Sequence, residues 1–351
     1  MNIRWTVEGA VAEARVSGLG AVPGTSSVEA ARVIAGECAP APFIPVLAQR
    51  GPGADPIGRT GGMLASVSTE FAVETVPSGW KVSGSWGRDM HRAESYFRED
   101  LDAMEESLTG TNEPLMLGVV GPVTWAGRVD GASGEKLIRD HGALRDISTA
   151  LATALGDLAT LLARRFPDSP VVFQIDEPLV MPATEGAIPT ASALNTYVAL
   201  DRQFVASLWA PLFAAAQKHT ARYGVNASGG RTPLSDPYTS LLRAAGASRF
   251  YGVEQAAELG DIIDSGAECV WPLIADRSGE FTARDMVRRL GSLGFSVETF
   301  APNTVVVPSD REMSGGWEAA RNAWNRAQAA VDLLNDPDRL ESGDRRVPGA
   351  V

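Results

Sequence analysis

The sequence predicts an α/β protein, and within that class a closed (β/α)8 TIM barrel with an insertion between its second and third strands. Three observations lead to this fold: eight short β-rich runs recur, helical patterns follow them, and one irregular segment interrupts the series. An open doubly wound sheet fits the same alternation, but a count of eight strands favours the barrel. We therefore expect residues 1–340 to form one barrel domain and residues 341–351 to form a frayed tail.

The predicted strands are short runs that are rich in β-branched and aromatic residues and end at glycine, proline or a polar residue. The fourth run, VVFQIDEP, is the most informative, because apolar strand residues lead directly into two adjacent acids and a proline. The eight runs cover residues 15–20, 43–47, 115–122, 171–178, 222–227, 249–254, 267–275 and 303–309.

Two helices are predicted from apolar residues that repeat every three or four positions and so share one helix face. One helix lies between the third and fourth strands, the other follows the eighth strand, and both apolar stripes should pack on the barrel. The stripes consist of Leu144, Ile147, Leu151, Leu155, Leu158 and Leu162 in the first helix, and of Trp317, Ala320, Trp324, Ala327 and Val331 in the second.

The insertion occupies about residues 50–110. It begins with a glycine- and proline-rich segment at 50–62, which predicts a loop, and continues through residues 71–84, which predict a hairpin. A charged helix is predicted from about Arg88 to Ser107. No linker is long enough to demand a second domain, so we interpret the segment as an insertion in a single domain.

Charge and composition narrow the class of ligand. The chain has 43 acidic and 31 basic residues and a net charge of −12, which disfavours nucleic acid and anionic membranes and leaves small molecules as the expected partners. Its two cysteines provide neither a disulfide framework nor a thiolate cluster. No apolar run of about 18 residues and no signal peptide is recognised, so we expect a cytoplasmic protein.

Polar residues at the ends of the predicted strands are the candidates for chemistry, because these ends line the active site of such a barrel. Asp176 and Glu177 end the fourth strand, Asn226 the fifth and Glu254 the sixth, and Asp310 follows the eighth. Alternation along a strand predicts that one acid of the Asp176–Glu177 pair faces the pocket and the other faces the helices. The alternatives are a carboxylate pair that caps a turn, and solvated surface acids at the other positions.

Two further segments could meet a ligand. In GLGAVPG, residues 18–24, the glycine spacing does not match a dinucleotide-binding turn, and a backbone that a ligand approaches closely is the better interpretation of Gly20. Arg50 and Arg59 flank the glycine-rich segment after the second strand, which suggests contact with an anionic substrate group at the rim of the site. An ordinary solvated loop is the alternative.

Several motifs together resemble the catalytic barrel of the cobalamin-independent methionine synthases, in its single-barrel, C-terminal or archaeal-type form. They are LGAVPGT (19–25), GPVT (121–124), QIDEPLV (174–180), the strand end at Glu254, and VVPSDREMSGGWEAAR (306–321). The resemblance covers nearly the whole chain, and QIDEP is its most specific part. It implies a methyltransferase that moves a methyl group from a 5-methyltetrahydrofolate polyglutamate to homocysteine, whose sulfur binds zinc.

The resemblance also implies roles for individual residues. Asp176 corresponds to the carboxylate that holds the substrate amino group, and Glu177 is expected to support it in catalysis. The backbone around Gly20 and Ala21 corresponds to the part that meets the substrate carboxylate. Thr124, within the GPVT match, joins these substrate-binding residues.

The metal site that the resemblance implies is altered in this chain. The family's ligands are a His-x-Cys pair, a glutamate and a second cysteine, and the corresponding positions here read Gly224, Asn226, Glu254 and Asp310. Zinc is expected from the family, but Asn226, Glu254 and Asp310 form an oxygen set that suits a weakly held divalent cation better.

Three functions therefore remain open at the level of sequence. The leading one is methyl transfer to homocysteine or a related small thiol or amino acid. A second is a non-catalytic barrel that binds an amino acid or folate and has lost the metal. A third is a reaction on the related uroporphyrinogen-decarboxylase-like barrel, which would use arginines to bind substrate carboxylates.

Overall fold

A computed structural model of the 351-residue protein describes residues 13–218, 222–227, 236–252, 257–274, 277–336 and 338–339. The fold is α/β, with parallel strands and surrounding helices. The strands are β1 (Arg15–Val16), β2 (Val73–Val76), β3 (Gly79–Val82), β4 (Leu115–Val120), β5 (Val129–Asp130), β6 (Val171–Asp176), β7 (Arg222–Asn226), β8 (Arg249–Tyr251), β9 (Glu268–Pro272) and β10 (Thr304–Val307). The helices are α1 (Ser27–Glu37), α2 (Pro56–Val67), α3 (Arg88–Ser107), α4 (Pro122–Arg128), α5 (His141–Arg165), α6 (Val180–Thr184), α7 (Arg202–Ala216), α8 (Asp236–Ala244), α9 (Leu259–Asp264), α10 (Gly279–Ser292), α11 (Val297–Phe300), α12 (Asp310–Met313) and α13 (Trp317–Leu334).

The parallel strands form two sheets, in the orders β1-β10-β9-β8 and β4-β6-β7. The predicted second strand, residues 43–47, pairs only through isolated parallel bridges, of Phe43 with Met116 and of Val46 with Ala21. Pro45 lies in the middle of this run and has no N–H group to donate, which limits its ladder. Seven of the eight predicted strands are therefore present as ladder strands, although β1 has only two residues.

The insertion contains the predicted hairpin and the predicted helix. Strands β2 and β3 pair in antiparallel fashion with Val73 opposite Val82, and α3 spans Arg88–Ser107. A short parallel strand, β5, extends the hairpin into a third, mixed sheet that the sequence did not predict.

The predicted loop at residues 50–62 is wrong over its second half, where α2 begins at Pro56. Asp55 caps this helix, since its side chain accepts hydrogen bonds from Ile57 N and Gly58 N. Glycine suits this helix because residues from other elements pack closely against its backbone. A Cβ on Gly61, for example, would lie 2.8 Å from Val73 Cγ2. The glycines therefore permit helix packing and do not mark a turn.

The two predicted apolar stripes lie in α5 and α13. All six α5 residues are buried, and so are the four α13 residues from Ala320 to Val331, while Trp317 is partly buried. Helix α5 is long and apolar enough to cross a membrane by length and composition, but half of its most apolar window is buried inside the molecule. This burial is typical of a core helix in a soluble protein. A cytoplasmic location remains a prediction, and residues 341–351 lie outside the described residues.

Candidate functional site

The polar strand ends meet at the carboxyl edge of the β4-β6-β7 sheet. The register places Val120 beside Asp176 and Asp176 beside Asn226. Because parallel strands end at the same edge, Asp176 and Asn226 become neighbours although 50 residues separate them in the sequence. The predicted convergence of the fourth and fifth strand ends is therefore present.

Two side-chain amides donate hydrogen bonds to Asp176. Its Oδ1 atom accepts from Gln174 Nε2 at 2.9 Å and from Asn226 Nδ2 at 3.0 Å. Gln174 Nε2 also donates to Leu19 O at 2.8 Å, which ties the first predicted strand to this group. Asp176 is half-buried, whereas Gln174 is fully buried and its Oε1 atom has no hydrogen-bond partner. Two side-chain amides thus fix the position of the Asp176 carboxylate at the strand ends.

The surroundings of Asp176 include a position without a side chain. A Cβ on Gly118, on the neighbouring strand β4, would lie 3.3 Å from Asp176 Oδ2. This is closer than most Cβ contacts, so glycine keeps the approach to the carboxylate open on that side. A carboxylate held at a strand end can bind an ammonium group.

Glu177 points away from Asp176 and into the helical layer, as the alternation of a strand requires. It is fully buried, and its two carboxylate oxygens accept hydrogen bonds from Val123 N at 3.0 Å and Thr124 N at 2.7 Å, at the start of α4. Burial raises the pKa of Glu177 to about 7, although the hydrogen bonds from Thr124 and Val123 oppose the shift. The expected catalytic position of Glu177 is corrected: it caps a helix and points to the opposite face of the strand from Asp176.

Thr124 has a similar structural position. It is 3% exposed, and its Oγ1 atom accepts a hydrogen bond from Leu179 N at 3.1 Å. Its backbone N–H is the group that donates to Glu177, so Thr124 closes the connection between α4 and the turn after β6. The expectation that Thr124 contacts substrate is therefore corrected in the same way.

The segment at Gly20 and Ala21 lies beside the Asp176 group. Gly20 has a φ of +109°, which favours glycine, and its carbonyl oxygen accepts from Val46 N at 2.8 Å. Ala21 is exposed, and Leu19 O is the acceptor that holds Gln174. The predicted substrate-binding backbone therefore adjoins the carboxylate, while its contact with a ligand remains a prediction.

Arg50 and Arg59 do not lie on an exposed rim, which corrects the prediction for both. Arg50 donates to both oxygens of Asp100, at 2.6 and 2.7 Å, and its side chain is 6% exposed. Arg59 lies within α2, is 4% exposed and donates to Pro45 O at 2.7 Å. Helix α3 covers both side chains, because Tyr96 lies against Arg50 and Phe97 against Arg59. Helix α3 thus buries the two arginines that the sequence suggested would contact an anionic substrate group.

The proposed metal ligands do not form a zinc site among the described residues. Asn226 turns its amide N–H toward Asp176, and a Cβ on Gly224 would overlap the carbonyl oxygen of Arg249 on β8. Glu254 lies outside the described residues, and the backbone of Asp310 begins α12 while its side chain is not described. No group of three or more His, Cys, Asp or Glu side chains that could hold a metal occurs in the described part of the chain.

The two cysteines are also unsuited to ligation. Cys38 and Cys269 are both buried and free, and burial raises the pKa of the Cys38 thiol well above its ordinary value. Burial likewise raises the pKa of Cys269 to about 12. Both thiols are therefore neutral, whereas zinc binds the thiolate form. The strand ends that the structure describes therefore offer no thiolate or imidazole, the ligands that zinc prefers.

A second polar cluster, which was not predicted from the sequence, lies at the amino end of the strands. Glu268 accepts from Arg15 Nη2 at 2.5 Å and from Arg249 Nη1, and Arg249 Nε donates to Tyr251 Oη at 2.8 Å. Arg249, Glu268 and Tyr251 are each at most 3% exposed. The available signal was a charged residue at the first position of otherwise apolar strands, but the pairing itself depends on strand register.

Comparison with known proteins gives limited information. No protein-family model matches the chain, and no curated protein matches it. Among solved structures, a B12-independent methionine synthase from Shewanella sp. W3-18-1 in complex with selenomethionine is similar at 12% identity and a TM-score of 0.44, over 70% of this chain and 68% of that one. A 2,3-dimethylmalate lyase of the PEP mutase/isocitrate lyase superfamily is similar at 11% identity and a TM-score of 0.37, over 97% and 93%. Both are enzymes, but similarities this low establish neither family nor function.

Proposed function

We propose that this protein is an enzyme that binds a small amino acid at the carboxyl edge of its parallel strands, with Asp176 pairing with the ligand ammonium. The observation that carries the proposal is the setting of Asp176, whose charge is held by the amides of Gln174 and Asn226. A charge-assisted hydrogen bond to such a carboxylate contributes roughly 1.5–3 kcal/mol. Backbone near Gly20 adjoins this group and supports a place for the ligand carboxylate.

We place this site at the mouth of a closed (β/α)8 barrel. Contacts at both edges of the two parallel sheets support closure. The bridges at Val46 and Phe43 link the first predicted strand to β4, and Ser248 N donates to Tyr223 O at 3.0 Å between β8 and β7. Joined in this way, the eight parallel segments would enclose the side chains of Asp176 and Asn226, at the end where barrel enzymes carry their sites.

The reaction we propose is transfer of a methyl group to homocysteine or a related thiol, with a folate polyglutamate as donor. The support is the sequence resemblance at QIDEP and GPVT, where Asp176 keeps the position that holds the amino group. In this scheme Asp176 binds and orients the amino acid, while Gln174 and Asn226 position Asp176. The residues present do not fit zinc, so activation of the thiol by that metal forms no part of the scheme.

A non-catalytic amino-acid-binding protein is the second candidate. Gly224 favours it, because the strand there has no room for the side chain that would ligate a metal. The decarboxylase-like alternative loses support, since its expected arginines, Arg50 and Arg59, are buried against α3.

Calorimetry with matched ligands tests the binding part of the proposal. L-homocysteine and L-methionine should bind, and 4-(methylthio)butanoate, which lacks only the amino group of methionine, should bind about tenfold to a hundredfold more weakly. Equal affinity for methionine and its desamino analogue would remove Asp176 from ligand binding. The two candidate functions are then separated by turnover: methionine formation from homocysteine and 5-methyltetrahydrofolate triglutamate supports the enzyme, and binding without turnover supports the binding protein.

A further inference from the structure

We propose that a second ligand site lies in a cleft among helices α2, α3 and α5, and that it binds a small molecule with an aromatic body and one carboxylate. Arg59 would receive that carboxylate. The cleft lies in the helical layer and shares no residue with the Asp176 group, so this inference is independent of the proposed function.

The cleft has a volume of about 240 Å³, which suits a compact ligand of fragment size. One face of each of the three helices contributes to it, and Trp86 from the loop before α3 completes the wall. Its lining is mainly carbon, and aromatic rings supply flat surfaces against which an aromatic ligand can stack. The apolar residues that carry this argument are Met63, Trp86, Phe97, Leu158 and Leu161.

Arg59 is the polar feature of this cleft that keeps unused hydrogen-bond donors, although the charge of Asp100 acts on it from nearby. Its Nη1 atom donates to Pro45 O, but its Nε and Nη2 atoms are buried and have no hydrogen-bond partner. It forms no ion pair within the described residues, because the nearby carboxylate of Asp100 already accepts two hydrogen bonds from Arg50. A buried guanidinium with two unused donors is costly to the fold, so a ligand that satisfies both would bind there favourably.

The identity of the two unused donors indicates a carboxylate. Nε and Nη2 lie on the same edge of the planar guanidinium, which is the edge that carboxylates bind through two parallel hydrogen bonds. The Phe97 ring packs against the face of the guanidinium, 4.7 Å from Arg59 Cζ, and the Nε and Nη2 atoms are buried. Phe97 is only partly buried, so its ring can turn aside to admit the ligand and then stack on it.

The rim of the cleft restricts the charge of the ligand. Glu94 and Asp157 line its edge, and Glu94 is paired with Arg98 at 2.8 Å, whereas Asp157 is exposed. These acids disfavour phosphates and polyglutamates, which bring several negative charges past the rim. A monocarboxylate brings one charge and places it at Arg59, away from Glu94 and Asp157 on the rim.

A pair of isosteric probes tests the site by calorimetry and by quenching of tryptophan fluorescence. We expect 2-naphthoate to bind about tenfold more tightly than its neutral isostere 2-naphthamide. The variant Arg59→Met should abolish this preference, since it keeps the length of the side chain and removes the fork of donors. The variant Ser66→Phe should fill the cleft and weaken both probes about tenfold, while Ser95→Phe on the exposed side of α3 should change neither.

The results decide the proposal even if Arg59→Met does not fold, because Ser66→Phe and the probe pair do not depend on it. Equal affinity of the wild type for the two naphthalenes, or naphthoate binding that is unchanged in Ser66→Phe, would overturn the site. Naphthoate binding should also be unchanged in Asp176→Asn, so failure here and failure at the strand ends are distinguishable.

Discussion

The carboxylates at the two ends of the parallel strands have different kinds of described hydrogen-bond partner. At the amino end, Glu268 accepts hydrogen bonds from two arginines, Arg15 and Arg249, so carboxylate and guanidinium groups neutralise one another. At the carboxyl end, Asp176 is held by the neutral amides of Gln174 and Asn226. The comparison separates an acid whose described partners are arginines from one whose described hydrogen-bond donors are amides. We expect the first to stabilise the fold and the second to bind a ligand.

The largest expected effect comes from removing the charge of Glu268. Glu268→Gln leaves the buried Arg249 and the partly buried Arg15 without this counter-charge, and we expect the free energy of unfolding to fall by roughly 3–5 kcal/mol. Urea denaturation measures this loss. The matched control is Glu94→Gln in the exposed Arg98–Glu94 pair, which should cost less than about 1 kcal/mol. Similar losses in the two variants would contradict a special role for the amino-end cluster.

The pH dependence of the same variant sharpens this test. Burial acts to raise the pKa of Glu268, but Arg249 and Arg15 outweigh burial and lower it from its ordinary value of 4.5. A lowered pKa in the folded state means that the stabilisation is complete above pH 4.5 and is lost as the pH falls further. The stability gap between wild type and Glu268→Gln should therefore narrow below about pH 4.5, and a gap that does not narrow would be inconsistent with this pairing.

Glu177 should show the opposite pH dependence, with a somewhat smaller amplitude. Its pKa is raised from 4.5 to about 7, so its stabilising contribution is complete below pH 4.5 and is lost as the pH rises through 7. A shift of this size corresponds to about 3 kcal/mol. Glu177→Gln keeps a neutral group there, so its stability relative to wild type should rise between pH 4.5 and about 7. Parallel stability profiles for the two proteins would show that the carboxylate remains ionised throughout.

A carboxylate-to-amide change at Asp176, the carboxyl end of β6, should change ligand affinity and leave stability nearly constant. Asp176→Asn removes the charge that the ligand ammonium meets, and we expect methionine to bind about tenfold to a hundredfold more weakly. The free energy of unfolding should change by less than about 1 kcal/mol, because Asn keeps an oxygen that can accept the hydrogen bonds from Gln174 and Asn226. Glu106→Gln, on the exposed face of α3, controls for general effects of charge. Unchanged affinity in a destabilised Asp176→Asn protein would make Asp176 structural, like Glu268.

The smallest expected effect is that of a chelator. Protein purified without added metal should contain zinc far below one per chain, and EDTA should leave its unfolding curve unchanged, because Gly224 and Asn226 replace ligands that zinc requires. Metal analysis and urea denaturation measure the two quantities. Stoichiometric zinc that survives dialysis and is lost in Glu254→Gln or Asp310→Asn would restore the zinc methyltransferase interpretation.

Local patterns in the sequence predicted much of the fold, since the α5 stripe and the bounds of α3 depend on residues close together in the chain. The carboxyl-end position of Asp176 was also predictable, because it follows from where a strand ends. The partners of Arg59 and Glu268 were not predictable from the sequence. Arg59 is buried by an insertion helix, and Glu268 pairs with Arg15 across 253 residues, so both depend on packing and register that no local pattern encodes. Glu177 was predictable only in part. Alternation along the strand predicted that it points away from Asp176, but its role as a helix cap depends on where α4 packs.

The close approach of β7 and β8 at Gly224 has a consequence for how this chain could change over time. Any side chain at residue 224 would overlap the backbone carbonyl of Arg249, so the two strands would have to move apart before that position could hold a metal-binding side chain. A single substitution to histidine would damage the sheet before it offered any benefit in metal binding. The first mutation toward a metal centre that includes residue 224 would therefore destabilise the protein. A change elsewhere that widens the spacing of β7 and β8 would have to precede it.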